Sequence, residues 1–258
     1  MANSLRFLLP AFLTALMLAV LLALGFWQVD RLAWKQDLLA RIEARQKDAP
    51  LKLSSAADMA ALARGRDGYR RAEVQGRFAP QQGFWFTQIE NRPPGLAAQD
   101  AAGYHILAPF ILADGSAILV DRGFVPARMK DALAANPSGQ QTLALVLRWP
   151  DRRGVFDNDD KPQENVFYVR DPSAIGTHWQ FDFPPFIGEV AAPGAGWPRG
   201  GQTRLQIANN HLQYAGTWFG LAIVLVIVSG LWHIRLMKSR QTARGQADIA
   251  LGKGDEDR

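Results

Sequence analysis

His211 is the side chain in this 258-residue chain whose setting best suits ligand chemistry. It stands in the run Asn209-Asn210-His211-Leu212-Gln213-Tyr214-Ala215-Gly216-Thr217-Trp218-Phe219, at the head of a long apolar stretch. On a helix, His211, Tyr214, Ala215 and Trp218 fall at i, i+3, i+4 and i+7, on one face. A neutral imidazole in a dry, aromatic-lined setting is a good axial ligand for haem iron, and the Tyr214 and Trp218 rings are shaped to stack on a porphyrin. Gly216 and Gly220 sit one turn apart and offer a close approach to another helix or a flat ligand. The same residues have a second reading, in which His211 is an interfacial polar group and Tyr214 and Trp218 are membrane-belt aromatics. The residues by themselves leave both readings open.

Other candidate chemistry is thinner. His105 falls in a strand-like run and His178 in a short helical one, and both read as structural or surface groups. His233, next to Trp232 and Arg235, reads as interfacial. It lies 22 residues beyond His211, about 33 Å at helical rise, so the two cannot share one metal. Asp157-Asn158-Asp159-Asp160 resembles a calcium loop, but an EF-hand needs an oxygen ligand at its fifth position and glycine at its sixth, where this chain has Lys161 and Pro162. A solvated turn is the better reading. No G-x-S-x-G, H-E-x-x-H, Walker or G-x-G-x-x-G pattern occurs. The chain has no cysteine, which removes disulfides, thiolate metal sites, thiol redox chemistry and c-type haem attachment.

The elements that must position His211 are two apolar runs, 7–29 and 212–234, each of 23 residues, with His233 the only residue in either that is able to carry a full charge. As helices each is about 34 Å long, enough to cross a bilayer. The first reads as an uncleaved anchor, because it is long for a signal peptide and its exit, Gly25-Phe26-Trp27-Gln28-Val29, is bulky. With the run starting at residue 7 there is no room for an organellar presequence, so a bacterial inner membrane is expected. Arg235, Lys238, Arg240 and Arg244 follow the second run and hold that end in the cytoplasm, placing both termini there and the intervening domain in the periplasm. The net charge of +5 divides into +2 from Arg235 onward, +1 in the first six residues and +2 over all the rest. The domain is therefore nearly neutral, with no basic stripe for nucleic acid.

Trp27, Arg31, Trp34, Lys35 and Leu38 continue one helical face past the membrane, so the first helix is expected to reach about residue 48, before Pro50. A short helix is expected over Ala56–Arg64, with Ser55 and Asp58 as a capping box and Gly65 as its stop. Strand-like runs follow at Tyr69–Phe78, Phe84–Glu90, Tyr104–Leu112, Ala117–Phe124, Thr142–Trp149 and Val166–Arg170, with Asp114-Gly115 as a type I′ hairpin turn. Asp171-Pro172-Ser173 opens a short helix through Trp179, and the proline-rich stretch after it reads as irregular. The fold class is thus a membrane protein with two transmembrane α-helices flanking one periplasmic α+β domain (50–208), mainly antiparallel β and forming a small barrel-like sheet. A polar tail, 235–258, is expected to be disordered.

Four segments resemble the Surfeit locus protein 1 family of cytochrome c oxidase assembly proteins. They are Gly25-Phe26-Trp27-Gln28-Val29-Asp30-Arg31-Leu32-Ala33-Trp34-Lys35, Val120-Asp121-Arg122-Gly123-Phe124-Val125-Pro126, Asn165-Val166-Phe167-Tyr168-Val169-Arg170-Asp171, and Asn210-His211-Leu212-Gln213-Tyr214-Ala215-Gly216-Thr217-Trp218-Phe219-Gly220-Leu221-Ala222. They occur in the family's order and span most of the chain; residues 92–102 and the tail carry none of its marks. The resemblance implies a non-enzymatic assembly factor that binds haem a as cargo, with His211 as axial ligand to the iron and Trp218, joined by Tyr214, on the macrocycle. Implied partners are cytochrome c oxidase subunit I, haem a synthase and the lipid bilayer, with Trp27, Gln28, Arg31 and Trp34 as a docking surface. The competing expectations are a haem-free scaffold for an oxidase intermediate, and a periplasmic enzyme or sensor domain.

Overall fold

The computed structural model describes residues 2–130, 136–150, 153–155, 157–194, 196–203 and 209–252, with side chains described from 9 to 236. It divides into two units, the helices of 1–38 with 208–258, and the domain of 39–207. Residues 204–208, at the expected end of the domain, and 253–258, at the end of the expected tail, lie outside the described residues.

Two helices make the first unit. α1 runs Ala2–Lys47 and α5 runs His211–Gly252, and both contain a stretch long and apolar enough to cross a membrane. Their outward surfaces expose large apolar side chains such as Phe12, Leu16, Ile223 and Val226, as lipid-facing helices should. Leu21, Gly25 and Gln28 form the buried face of α1, spaced i, i+4, i+7; Ala215 and Ala222 form that of α5. Gly25 is covered by the Phe219 ring, which a Cβ there would meet at 2.6 Å. Phe26 meets the same ring edge-on at 5.4 Å. Farther along the pair, Ser229 and Thr14 hydroxyls are 3.4 Å apart.

Two expectations change here. Among the described residues nothing approaches Gly216 or Gly220 within 4 Å of a notional Cβ, and the glycine in contact with the partner helix is Gly25. Residues 235–252 are helical, not disordered. Their Arg, Lys, Gln and Ala residues are good helix formers, and they extend a helix already nucleated by the span.

Among the described residues the domain is a sheet of eight strands: β1 (Leu51–Leu53), β2 (Arg71–Phe78), β3 (Gly83–Gln88), β4 (Ala102–Leu112), β5 (Ala117–Pro126), β6 (Gln141–Arg148), β7 (Val166–Phe167) and β8 (Ile187–Val190). Five of them close into a barrel in the order β2-β6-β8-β5-β4, with β2 pairing back onto β4 through Gly76↔Leu112. Closure removes the open edges that a five-stranded sheet would otherwise present. β1 adds to β2 in parallel, β3 to β4 antiparallel, and β7 to β3 in parallel.

Strand alternation explains the two cores. In β5, Ile118 and Val120 point into one cluster with Val74, Phe110, Leu145, Leu147 and Phe186. Ala117 and Leu119 point the other way, into a second cluster with Leu107, Phe167, Ile187, Ile175 and Trp179. Those last two residues belong to α4 (Pro172–Trp179), capped by Asp171, whose carboxylate accepts from Ser173 N–H. Because α4 covers its second face, β5 is buried on both sides, and its first four residues, Ala117–Val120, read as a continuous apolar run.

Local corrections have local causes. The expected Ala56–Arg64 helix is two, α2 (Ala56–Ala60) and α3 (Arg64–Asp67). The capping box forms at Ser55 and Asp58, but Gly65 lies inside α3 and stops nothing; its carbonyl and that of Gly68 accept from Arg45 at the end of α1. The hairpin at Asp114-Gly115 exists, but only Gly115 has positive φ, at 85°. It is a three-residue loop with Gly115 N–H on Leu112 O and Leu112 N–H on Ser116 O. Tyr168, Val169 and Arg170 lie outside the strand begun at Val166, β8 is a strand in the stretch read as irregular, and β1 falls where no element was expected.

Candidate functional site

In the helix pair, α1 brings Gln28 to α5 and α5 begins at His211. The His211 Nδ1 lies 2.7 Å from the Gln28 Oε1. Gln28 is 9% exposed and His211 is half-buried. The outer two signature segments therefore meet in a side-chain hydrogen bond. Trp218 follows two turns along α5, half-buried, and its Nε1–H is buried without a partner among the described residues. Ala215 between them is buried. Tyr214 turns away from this group and is exposed. An apolar groove of about 440 Å³ runs on between the helices, lined by Leu18, Leu22, Phe219, Ala222, Ile223, Val226 and Ile227.

The expected docking residues separate. Trp27 and Trp34 are exposed, and the Arg31 guanidinium stacks 4.1 Å over the Trp34 ring. Gln28 is on the adjoining, buried face of α1, engaged with His211, and is turned away from that surface. The cause is helical geometry: residue 28 falls i+3 from Gly25 and 27 does not.

The domain holds a second constellation. Asp121 lies on the same face of β5 as Ala117 and Leu119, and its carboxylate takes both oxygens to His105 Nδ1 at 2.9 and 2.7 Å. It also accepts from Gly123 N–H and from Arg170 Nη1, at 2.9 and 2.8 Å. The same Arg170 nitrogen donates to Glu189 of β8 at 2.7 Å, and Glu189 further accepts from the Thr203 hydroxyl. The Arg170 guanidinium lies 3.9 Å over the Trp85 ring. His105, Asp121 and Glu189 are all buried. Burial opposes ionisation of Asp121, but His105, Arg170 and the Gly123 amide together outweigh it and hold its carboxyl below the usual carboxylate range. Burial likewise opposes the charge on Arg170, and Glu189 with Asp121 raise its pKa above the ordinary arginine value. His105 Nε2 is buried with no partner among the described residues.

This network joins the two inner segments singled out in the sequence, through Asp121 and Arg170. His105 appeared there as an isolated structural histidine, and Glu189 did not stand out at all. Its signal is absent because Glu189 sits in a four-residue strand whose partners, Asp121 of β5 and Val146 of β6, are remote in sequence. The acidic run near residue 160 serves the fold, with Asp160 paired to Arg153 and accepting from Tyr168 N–H. Among the described residues no group of three or more His, Asp or Glu side chains is arranged to hold a metal ion.

Comparison with known proteins places these segments in context. A sequence model described as the SURF1 family matches residues 15–223. A SURF1-like protein of Caenorhabditis elegans is 30% identical over 225 residues, covering 80% of this chain and 68% of its own length. Surfeit locus protein 1 of Mus musculus is 32% identical over 232 residues, 85% of this chain and 73% of its own. Surfeit locus protein 1 of Homo sapiens is 32% identical over 230 residues, 83% and 73%.

Proposed function

The chain belongs to the SURF1 family, known as cytochrome oxidase assembly factors, and we propose that it acts by binding haem a as cargo at His211 and passing it to catalytic subunit I of a haem-copper oxidase. The observation that carries this reading is the Trp218 Nε1–H, buried without a partner among the described residues, two turns from a half-buried imidazole in a largely apolar helix pair. An unpaired donor in such a setting is costly, and a cargo with a polar atom at that depth offsets the cost. A haem has both an iron for the imidazole and peripheral oxygens for such a donor.

The residues fit the group by type. His211 supplies the nitrogen ligand, Trp218 an apolar ring and one N–H, and the surrounding Ala215, Phe219 and Ala222 a dry wall. When bound, the iron contributes a Lewis-acidic centre to which the imidazole coordinates; no bond is made or broken in the porphyrin. The chain lacks cysteine, so attachment is non-covalent and release is reversible. Haem a synthase is the proposed supplier. The protein performs no chemical conversion in this scheme. The proposed location is a bacterial inner membrane, with both termini in the cytoplasm on the strength of Arg235, Lys238, Arg240 and Arg244. The exposed Trp27, Arg31 and Trp34 are the proposed docking surface for the oxidase or its lipid surroundings.

The test is the redox difference spectrum of detergent-purified protein from cells that make haem a, wild type beside His211→Ala. A haem a signal in the wild type that is lost or shifted in the variant supports the reading. No haem in either, with oxidase assembly still dependent on the protein, replaces it with the haem-free scaffold.

A further inference from the structure

We infer that Gln28 is the positioning residue of the His211 site, fixing the imidazole in the form whose Nε2 is free to bind iron. This rests on the haem reading for its consequence, though not for its geometry. An amide oxygen only accepts hydrogen bonds. With Gln28 Oε1 2.7 Å from His211 Nδ1, Nδ1 carries the proton. A neutral imidazole then has its lone pair on Nε2. Ring nitrogens that bind metals are held in this way, with the second N–H given to a carbonyl or carboxylate that orients the ring and raises its basicity.

The placement of Gln28 depends on close packing nearby. Gly25, one turn earlier on the same buried face, leaves room for the Phe219 ring, which a Cβ would meet at 2.6 Å. Phe26 closes on the same ring from its edge. That contact sets the register of α1 against α5, and in that register residue 28 faces residue 211. Neither helix holds the site alone: α5 brings the ligand and α1 sets its tautomer.

A purely packing role for Gln28, as an interhelical hydrogen bond between two spans, makes different predictions. Three full-length variants separate them: Gln28→Leu, Gln28→Glu and His211→Ala. The first readout needs no haem. Nitrogen-15 NMR of histidine-labelled protein in detergent, with the His211 signals assigned by their loss in His211→Ala, should show protonated Nδ1 in the wild type and both tautomers in Gln28→Leu. The second uses the haem-loaded protein. Gln28→Leu should weaken haem retention by about 10–100-fold, the range found for such supporting partners. Gln28→Glu should retain haem and shift its midpoint potential downward with a stronger iron–histidine stretch, because a carboxylate acceptor makes the imidazole a better donor.

Protonated Nε2 in the wild type overturns the inference. So does a Gln28→Leu protein that keeps the wild-type tautomer and haem affinity, or a Gln28→Glu protein with unaltered potential and stretch. A wild type that shows the Nδ1–H tautomer but binds no haem overturns the function reading and the iron-binding consequence with it, leaving Gln28 as a partner of His211 only.

Discussion

Asp121 is the residue on which most of the domain's polar organisation turns. Its carboxylate is 1% exposed and is shared by His105, Gly123 and Arg170. A buried ion pair adds little over apolar packing, but removing one partner strands the rest. Asp121→Asn should therefore lower the stability of the detergent-solubilised protein by about 3–5 kcal/mol, read from its urea midpoint. Asp100→Asn, whose partner Arg128 is largely exposed, should move the midpoint far less. The pH dependence follows from the direction of the Asp121 shift. Its folded-state pKa is held below the unfolded value of about 3.9. The stabilisation is thus present above about pH 4 and is lost as pH falls through the lower, folded-state pKa. Urea midpoints taken from pH 7 down to pH 3 should show an acid limb in the wild type that is diminished in Asp121→Asn.

At the scale of elements, the pairing of α1 with α5 is set by small residues meeting a large ring. Gly25 accommodates Phe219, and Thr14 meets Ser229 farther along. Because the chain is free of cysteine, Thr14→Cys with Ser229→Cys gives a clean crosslinking pair, expected to form readily in membranes. Adding Gly25→Leu should suppress the crosslink, since the new side chain occupies the space of the Phe219 ring. Adding Phe219→Ala to that protein should restore it. In the domain, Ser55 caps α2 and Asp58 reciprocates, so Ser55→Ala should cost about 1 kcal/mol, again read from the urea midpoint.

At the scale of the whole molecule, the proposed arrangement has both apolar helices crossing the bilayer, which puts both ends on the same side. Positive charge after the second span assigns that side to the cytoplasm in the proposed arrangement. Val155 is 96% exposed, so Val155→Cys should react with a membrane-impermeant maleimide in intact cells whose outer membrane has been permeabilised. A fluorescent protein fused after Arg258, of a kind that matures only in the cytoplasm, should be bright in the same cells. Protection of the cysteine together with a dark fusion would invert the topology and place the domain in the cytoplasm.

The membrane character, the strand-rich domain and the head of α5 are determined by the sequence alone, because each rests on local information: uncharged runs of spanning length, period-two alternation, and short contiguous segments around Gln28, Asp121, Arg170 and His211. The capping box at Ser55 and the α4 start at Asp171 are local in the same sense. A small barrel-like sheet was expected, but which strands close it was decided only in three dimensions. β8 is four residues with a glycine at its second position, and it is a strand because β5 and β6 lie on either side of it. The same holds for the chemistry. Alternation put Asp121 and Glu189 on one face of neighbouring strands, and Arg170 reached them from 49 and 19 residues away. Gln28 and His211 stand 183 residues apart, and only the packing of one helix on the other, around a glycine without a side chain, turns an apparent docking residue and an apparent lone histidine into a bonded pair.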